Sequence, residues 1–267
     1  MSEPDDYSDP AEEKPSPREK PMGFWEHIEE LRGTLIKSAI AFAICAGLVG
    51  YLLKEFNDVL LWPLRSVQVG YPELEIKLNT ISVVEGFNVI IQMCLMGGLV
   101  LALPFMLFFI GQFVAPALTE KELQALLPLC LAAMLLFLGG ATFSFLFLVK
   151  STVRMAIEIN LMLGYGFNWT PASYYSMLMW LVLGVGGAFE FPLVIVLLVW
   201  LGVMSTEFLR KYRRHAIVVI FIISAIVTPT ADPLTQTMFA VPLYVLYEVA
   251  IIAARRVEKK REWALRN

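Results

Sequence analysis

Residues 173–200 read SYYSMLMWLVLGVGGAFEFPLVIVLLVW, an apolar run that contains a single carboxylate, Glu190. At about 1.5 Å per helical residue, Glu190 stands roughly 15 Å in from Trp200, near the middle of a hydrocarbon layer about 30 Å thick. An ionised group at that depth costs at least about 2.5 kcal/mol even on the gentlest insertion scale, so it must face protein or water. Gly186 and Gly187 lie one turn earlier on the same face and leave space beside the carboxylate for water or another helix. Two readings follow. Either Glu190 hydrogen-bonds inside a helix bundle, or it lines a wet, inward-facing cavity around which the rest of the chain is a wall.

The composition says what kind of wall. Of 267 residues, 58% are hydrophobic and only 17% are charged, and the mean hydropathy is +0.67. No soluble domain of this size has that balance; the sequence is that of a polytopic membrane protein. Cys45, Cys94 and Cys130 all fall in apolar runs, which predicts three buried thiols rather than a disulfide or metal framework. Residues 1–22 are acidic and proline-rich, with no apolar core for a cleaved signal peptide, and read as a disordered tail.

Outward from the tail, GFWEHIEELRGTL at 23–35 turns directly into the apolar run Ile36 to Leu53, predicting one helix that is amphipathic at the surface and then spans. Residues 56–83, with Trp62-Pro63 and Tyr71-Pro72, read as an extramembrane loop. A second span is expected over 87–114 with Pro104 inside it, then a polar connection at 115–124, and a third span over 125–149 with Pro128 near its start. Residues 150–170 read as another loop, and the Glu190 segment is the fourth span. The last two apolar stretches are short, about 18 Å for 216–227 and about 26 Å for 238–254. They are joined by TPTADPLTQT at 228–237 and flanked by RKYRRH at 210–215 and ARRVEKKR at 254–261. A re-entrant segment is one reading. The flanking bases favour a hairpin of two undersized spans.

Six spans put both ends on one side. Of the 21 Lys and Arg residues, 16 fall on the terminal side and 5 on the other, which predicts cytoplasmic termini. Internal prolines at 104, 128, 192 and 242 predict kinked helices and a concave bundle. The expectation is an all-α polytopic membrane protein with an acidic tail (1–22), a six-span membrane domain (23–256) and a basic tail (257–267).

On the first helix Glu29 has Arg32 three residues on, whereas Glu30 has only Glu26, His27, Gly33 and Thr34 at helical spacing. Glu30 is therefore either solvated or open to a cation from outside. Glu122 forms a Thr119-x-x-Glu122 capping box and is a second surface carboxylate, with Lys121 the only base in its loop. Two separated carboxylates suit a pair of arginines, since each planar guanidinium can bind one through two parallel hydrogen bonds. Thr228, Asp232, Thr235 and Gln236 cluster at the hairpin tip, and Glu248 interrupts the last span. They are either helix caps or a docking point for a polar group on another helix. His215 reads as interfacial. HIEEL is not H-E-x-x-H, and neither G-x-S-x-G nor G-x-x-x-x-G-K-[ST] is present, so no catalytic role, cofactor or metal is expected. GVGG at 184–187 reads as helix packing. A proton-coupled small-solute transporter using Glu190 is an alternative class, although no internal repeat accompanies it.

Four segments together resemble the TatC family of the twin-arginine protein translocase: HIEELR at 27–32, where the family has HLEELR; FVAPALTEKE at 113–122; FEFP at 189–192; and TPTADPLTQ followed by PLYVLYE over 228–248. The resemblance covers about 24–256. It implies a glove-shaped six-span receptor for twin-arginine signal peptides in the bacterial plasma (inner) membrane. That receptor works with single-span TatA and TatB type subunits, self-associates in a larger complex, and exports folded proteins on the proton-motive force. Membrane lipid is an expected partner and nucleic acid is not. By position, Glu30 and Glu122 correspond to the carboxylates that receive the arginines, with Leu31, Arg32 and Phe113 beside them. Glu190 corresponds to the intramembrane carboxylate, Thr228 and Gln236 to the partner-docking cluster, and Pro63 to a functional proline; Asp232 and Glu248 are further candidates. Thr34 stands where the family usually has Arg, Thr119 where Tyr is common, and Leu123-Gln124 where bases often follow, which makes this site more acidic.

Overall fold

The computed structural model describes residues 24–74, 76–115, 120–200, 202–228 and 232–266. The acidic tail before Phe24 and the capping residue Thr119 lie outside the described residues. Helix α1 (Phe24–Tyr51) is unbroken, as its proline-free sequence predicts. Little of its apolar length is buried, so most of α1 faces outward. What holds it is close approach to the second span, which runs through α3 (Glu85–Gln92), a π-helical turn (Met93–Gly97) and α4 (Gly98–Val114). A Cβ on Gly98 would stand 2.7 Å from the Ala46 Cα, so only glycine lets the two backbones meet there.

Two of the expected loops are helical. Helix α2 (Leu53–Gln68) occupies much of the stretch read as a loop at 56–83. Its periodicity is the reason: Leu60, Pro63 and Leu64 are buried, while Lys54, Glu55, Asp58 and Arg65 stay exposed. Likewise the third span does not end near Val149. Helix α5 (Glu120–Phe143) passes through a π-helical turn (Ser144–Leu148) into α6 (Val149–Leu163). Val149, Thr152, Val153 and Ile157 form a buried stripe on α6, and Arg154 and Glu158 pair on the other side at 2.8 Å. The 38 residues from Leu126 to Leu163 extend about 57 Å, well beyond a bilayer core. Helices α2 and α6 pack together as a cap on the face away from the chain ends.

The Glu190 segment starts as α7 (Pro171–Phe189). Thr170 caps it by accepting the Ser173 N–H at 3.2 Å, and Pro171 occupies the first turn. The helix breaks at Glu190 and resumes as α8 (Phe191–Trp200). Pro192 supplies the cause, since it has no N–H to give to the Ala188 carbonyl and its ring crowds that carbonyl. Tyr174 donates to the Leu60 carbonyl at 2.8 Å and Tyr175 donates to the Asn57 side chain, which ties the start of α7 to α2.

The chain then forms α9 (Thr206–Lys211), α10 (Arg213–Val227) and α11 (Pro233–Arg266). Helix α10, with 15 residues, spans only about 22 Å and is short, as expected. Helix α11 is longer than its apolar stretch: it begins five residues earlier, where Asp232 caps it, and continues through the basic residues past Ala254. Among the described residues five helical stretches, α11 included, are long and apolar enough to cross a membrane; α10, too short to be among them, is the remaining expected span and packs on α11. Two apolar cores result. One joins α2, α3, α5, α6 and α7 around Phe137, Ile157, Leu178 and Leu181; the other joins α7, α8, α10 and α11 around Val185, Ile195, Phe239 and Ile251.

Candidate functional site

At the end of the bundle that carries α1's first turns, His27 stacks on Phe113 with ring centroids 4.6 Å apart and planes 25° apart. This contact fastens the beginning of α1 to the end of α4. Glu29 accepts from Arg32 at 3.3 Å, an exposed pair at the expected spacing. Glu30, one turn on from His27, is half-buried, and its Oε2 is enclosed with no hydrogen-bond partner. Such an atom is expensive to leave unmet, so it marks a place where a donor belongs. Leu31 and Arg32 are exposed. Glu122 falls in the first turn of α5, and its side chain is outside the described residues.

In the membrane layer, Glu190 sits at the α7–α8 break. Its backbone carbonyl accepts from Leu193 and Val194 at 3.0 and 3.1 Å, and its Oε1 is enclosed without a partner. The glycines beside it divide by role. A Cβ on Gly186 would meet the Phe137 ring at 2.7 Å, one on Gly140 would meet Phe189 at 2.7 Å, and one on Gly184 would meet Val227 at 2.9 Å, so these three are packing glycines. Gly187 has open space around it.

The hairpin tip is internally satisfied at several points. Asp232 accepts the Thr235 N–H at 2.7 Å and so is the cap of α11. Thr228 is buried and donates back to the Ser224 carbonyl at 2.8 Å. Ser224 donates to the Gln236 carbonyl at 2.6 Å, and the Gln236 amide donates to the Phe221 carbonyl at 3.0 Å. Further along, Glu248 accepts from Arg213 at 2.9 Å and from the Tyr244 hydroxyl at 3.1 Å. Pro63 is buried within α2, where its carbonyl accepts the Ser66 hydroxyl at 2.8 Å. Of the thiols, only Cys130 is buried; Cys45 and Cys94 are partly exposed because their helices turn an open face outward there. Among the described residues no group of three His, Cys, Asp or Glu side chains could hold a metal ion.

Sequence spacing missed two of these contacts. His27 and Phe113 belong to different spans, so no local pattern joins them. Arg213 and Glu248 had a signal: they lie about equally far from the middle of the hairpin turn, so folding the hairpin on itself brings them together.

The architecture is that of a polytopic α-helical membrane protein that keeps unmet carboxylates at one surface and inside one broken span. Comparison with known sequences and structures narrows the class. The profile of the family described as Sec-independent protein translocase protein (TatC) matches residues 26–242, and the chain belongs to that family. It is 36% identical over 248 residues to the TatC protein of Aquifex aeolicus, covering 90% of this chain and 98% of that one. It is 31% identical over 245 residues to the TatC protein of Koribacter versatilis, covering 90% and 88%. A crystal structure described as the twin arginine translocase receptor TatC in DDM superposes with a TM-score of 0.71 at 35% identity, covering 85% of this chain and 98% of that one. The chain is thus a membrane-embedded subunit of the Sec-independent protein translocase, and the solute-transporter alternative is not favoured.

Proposed function

We propose that this subunit is the receptor for twin-arginine signal peptides, held in the bacterial plasma membrane with both termini cytoplasmic. It forms the core of a translocase that passes folded proteins across on the proton-motive force. The observation that carries this reading is Glu30: a carboxylate with one enclosed, unpartnered oxygen, one turn from the His27–Phe113 stack. A guanidinium would meet that oxygen and bring the planar fork that a lysine lacks. Glu122 takes the second arginine, and Leu31, Arg32 and Phe113 frame the peptide. Glu190 serves the intramembrane face of the site, and single-span TatA and TatB type partners dock on the polar side of the hairpin near Thr228 and Gln236. The wide outward exposure of α1 leaves room for self-association.

The test is the affinity of the purified protein for a signal peptide carrying Arg-Arg or Lys-Lys, repeated with Glu30→Ala and Glu122→Ala. A charge-assisted contact is worth about 1.5–3 kcal/mol, so Arg-Arg should bind at least about tenfold better, and either substitution should remove most of that preference. Equal binding of both peptides, unchanged by either substitution, would end the receptor reading for this subunit.

A further inference from the structure

On the same side of the bundle but away from Glu30, α9 and the end of α11 enclose a polar cleft of about 590 Å³. Its walls are fixed by hydrogen bonds. Thr206 donates its backbone N–H at 3.3 Å to one oxygen of Glu258 and its hydroxyl to the other, and Tyr247 donates to the Leu209 carbonyl at 2.9 Å. Glu258 is thereby bound to the start of α9. Arg210, Arg255 and Lys259 line the cleft, and none has an ion pair among the described residues. Against these three cations stand two carboxylates, Glu207 and Glu258, so the lining keeps a net positive charge of one. The apolar stretch of α11 ends at Ala254, so Arg255 is the first charge outside it and the cleft opens where lipid headgroups lie.

We infer that this cleft is a binding site for a phosphate group, and that its depth assigns the phosphate to an anionic membrane phospholipid. Two guanidiniums and an ammonium on a rigid wall match a phosphodiester, with the guanidiniums able to bind through paired N–H groups. Basic pockets between helices at the membrane surface bind such headgroups, and each basic side chain adds about fivefold to the attraction. The Thr206–Glu258 bonds are part of the site, because they hold the Glu258 carboxylate against the start of α9 and out of ion-pair contact with Arg255 and Lys259.

The experiment is native mass spectrometry of the full-length protein in detergent, counting retained phosphatidylglycerol against phosphatidylcholine. The unmodified protein should hold phosphatidylglycerol at least about fivefold more often. Arg255→Gln should lower retention about fivefold, whereas Arg256→Gln, which removes the same charge from the exposed neighbour, should change it less than about twofold. Thr206→Val leaves net charge untouched and should also lower retention by releasing Glu258; if thermal unfolding shows that variant to be misfolded, Arg255→Lys, which keeps charge but loses the fork, should lower retention severalfold in its place. Equal losses for the Arg255 and Arg256 substitutions would mean a diffuse surface field and overturn the site. Displacement of the lipid by glycerol phosphate at equal concentration would overturn the assignment to lipid.

Discussion

Glu190 and Glu248 both interrupt apolar helices, yet the regions around them solve the same problem differently. In the α10–α11 hairpin, Glu248 accepts from Arg213 and Tyr244, so its charge is answered within the chain. At the α7–α8 break, Glu190 keeps an enclosed oxygen with no partner, beside a glycine with open space. The contrast shows that a carboxylate at membrane depth is not one kind of thing. One is a brace between helices; the other keeps one oxygen unmet, at a cost in stability.

The sharpest way to break this comparison is Glu248→Ala. It leaves Arg213, whose Nε already lacks a partner, without its counter-charge. The pair is partly exposed, at 42% and 28%, so the loss should fall below the 3–5 kcal/mol of a fully buried pair, at about 2 kcal/mol. Thermal unfolding in detergent reads it, and combining it with Arg213→Ala should cost less than the two losses added together. Gly140→Ala comes next. Its Cβ would press on Phe189 and stand 3.1 Å from the Gly186 Cα, forcing α5 off α7 beside the Glu190 break at about 1 to 2 kcal/mol. Glu190→Gln keeps the shape and removes the charge, so unfolding should shift by less than about 0.5 kcal/mol, or toward greater stability, while export of folded cargo falls. A destabilisation as large as that of Glu248→Ala would make Glu190 a brace as well. Smallest of all, Glu29→Gln removes an exposed pair and should leave both unfolding and signal-peptide affinity unchanged, separating Glu29 from its neighbour Glu30.

The membrane class and the single first helix were legible because each rests on a local signal, sustained apolarity and a run without proline. The four internal prolines predicted kinks alike, yet only Pro192 accompanies a break, while Pro104, Pro128 and Pro242 lie inside continuous helices. Helices α2 and α6 were not legible, because charged residues at 54–65 and 150–158 resemble loop composition until the buried stripe on the opposite face is known. At the candidate site, Glu30's lack of a partner followed from helical spacing alone. The stack that flanks it did not, since His27 and Phe113 meet only after α1 and α4 have packed. The reach of α11 beyond Ala254 was hidden for a related reason: apolar length marks what faces lipid, whereas a helix continues for as long as its backbone bonds do.

The two π-helical turns, Met93–Gly97 and Ser144–Leu148, carry one consequence further. Each bonds residue i to i+5 rather than i+4 and so takes up one extra residue. Straightening such a turn into a regular α-helix without removing a residue would swing every side chain beyond it by about 100°, whereas deleting one residue there would leave the faces where they are. Each turn is therefore a frameshift in a helical reading frame: the stripe that faces a neighbour before it continues after it one position out of step. Any alignment of these spans that counts residues without marking those two points will pair lipid-facing positions with packed ones.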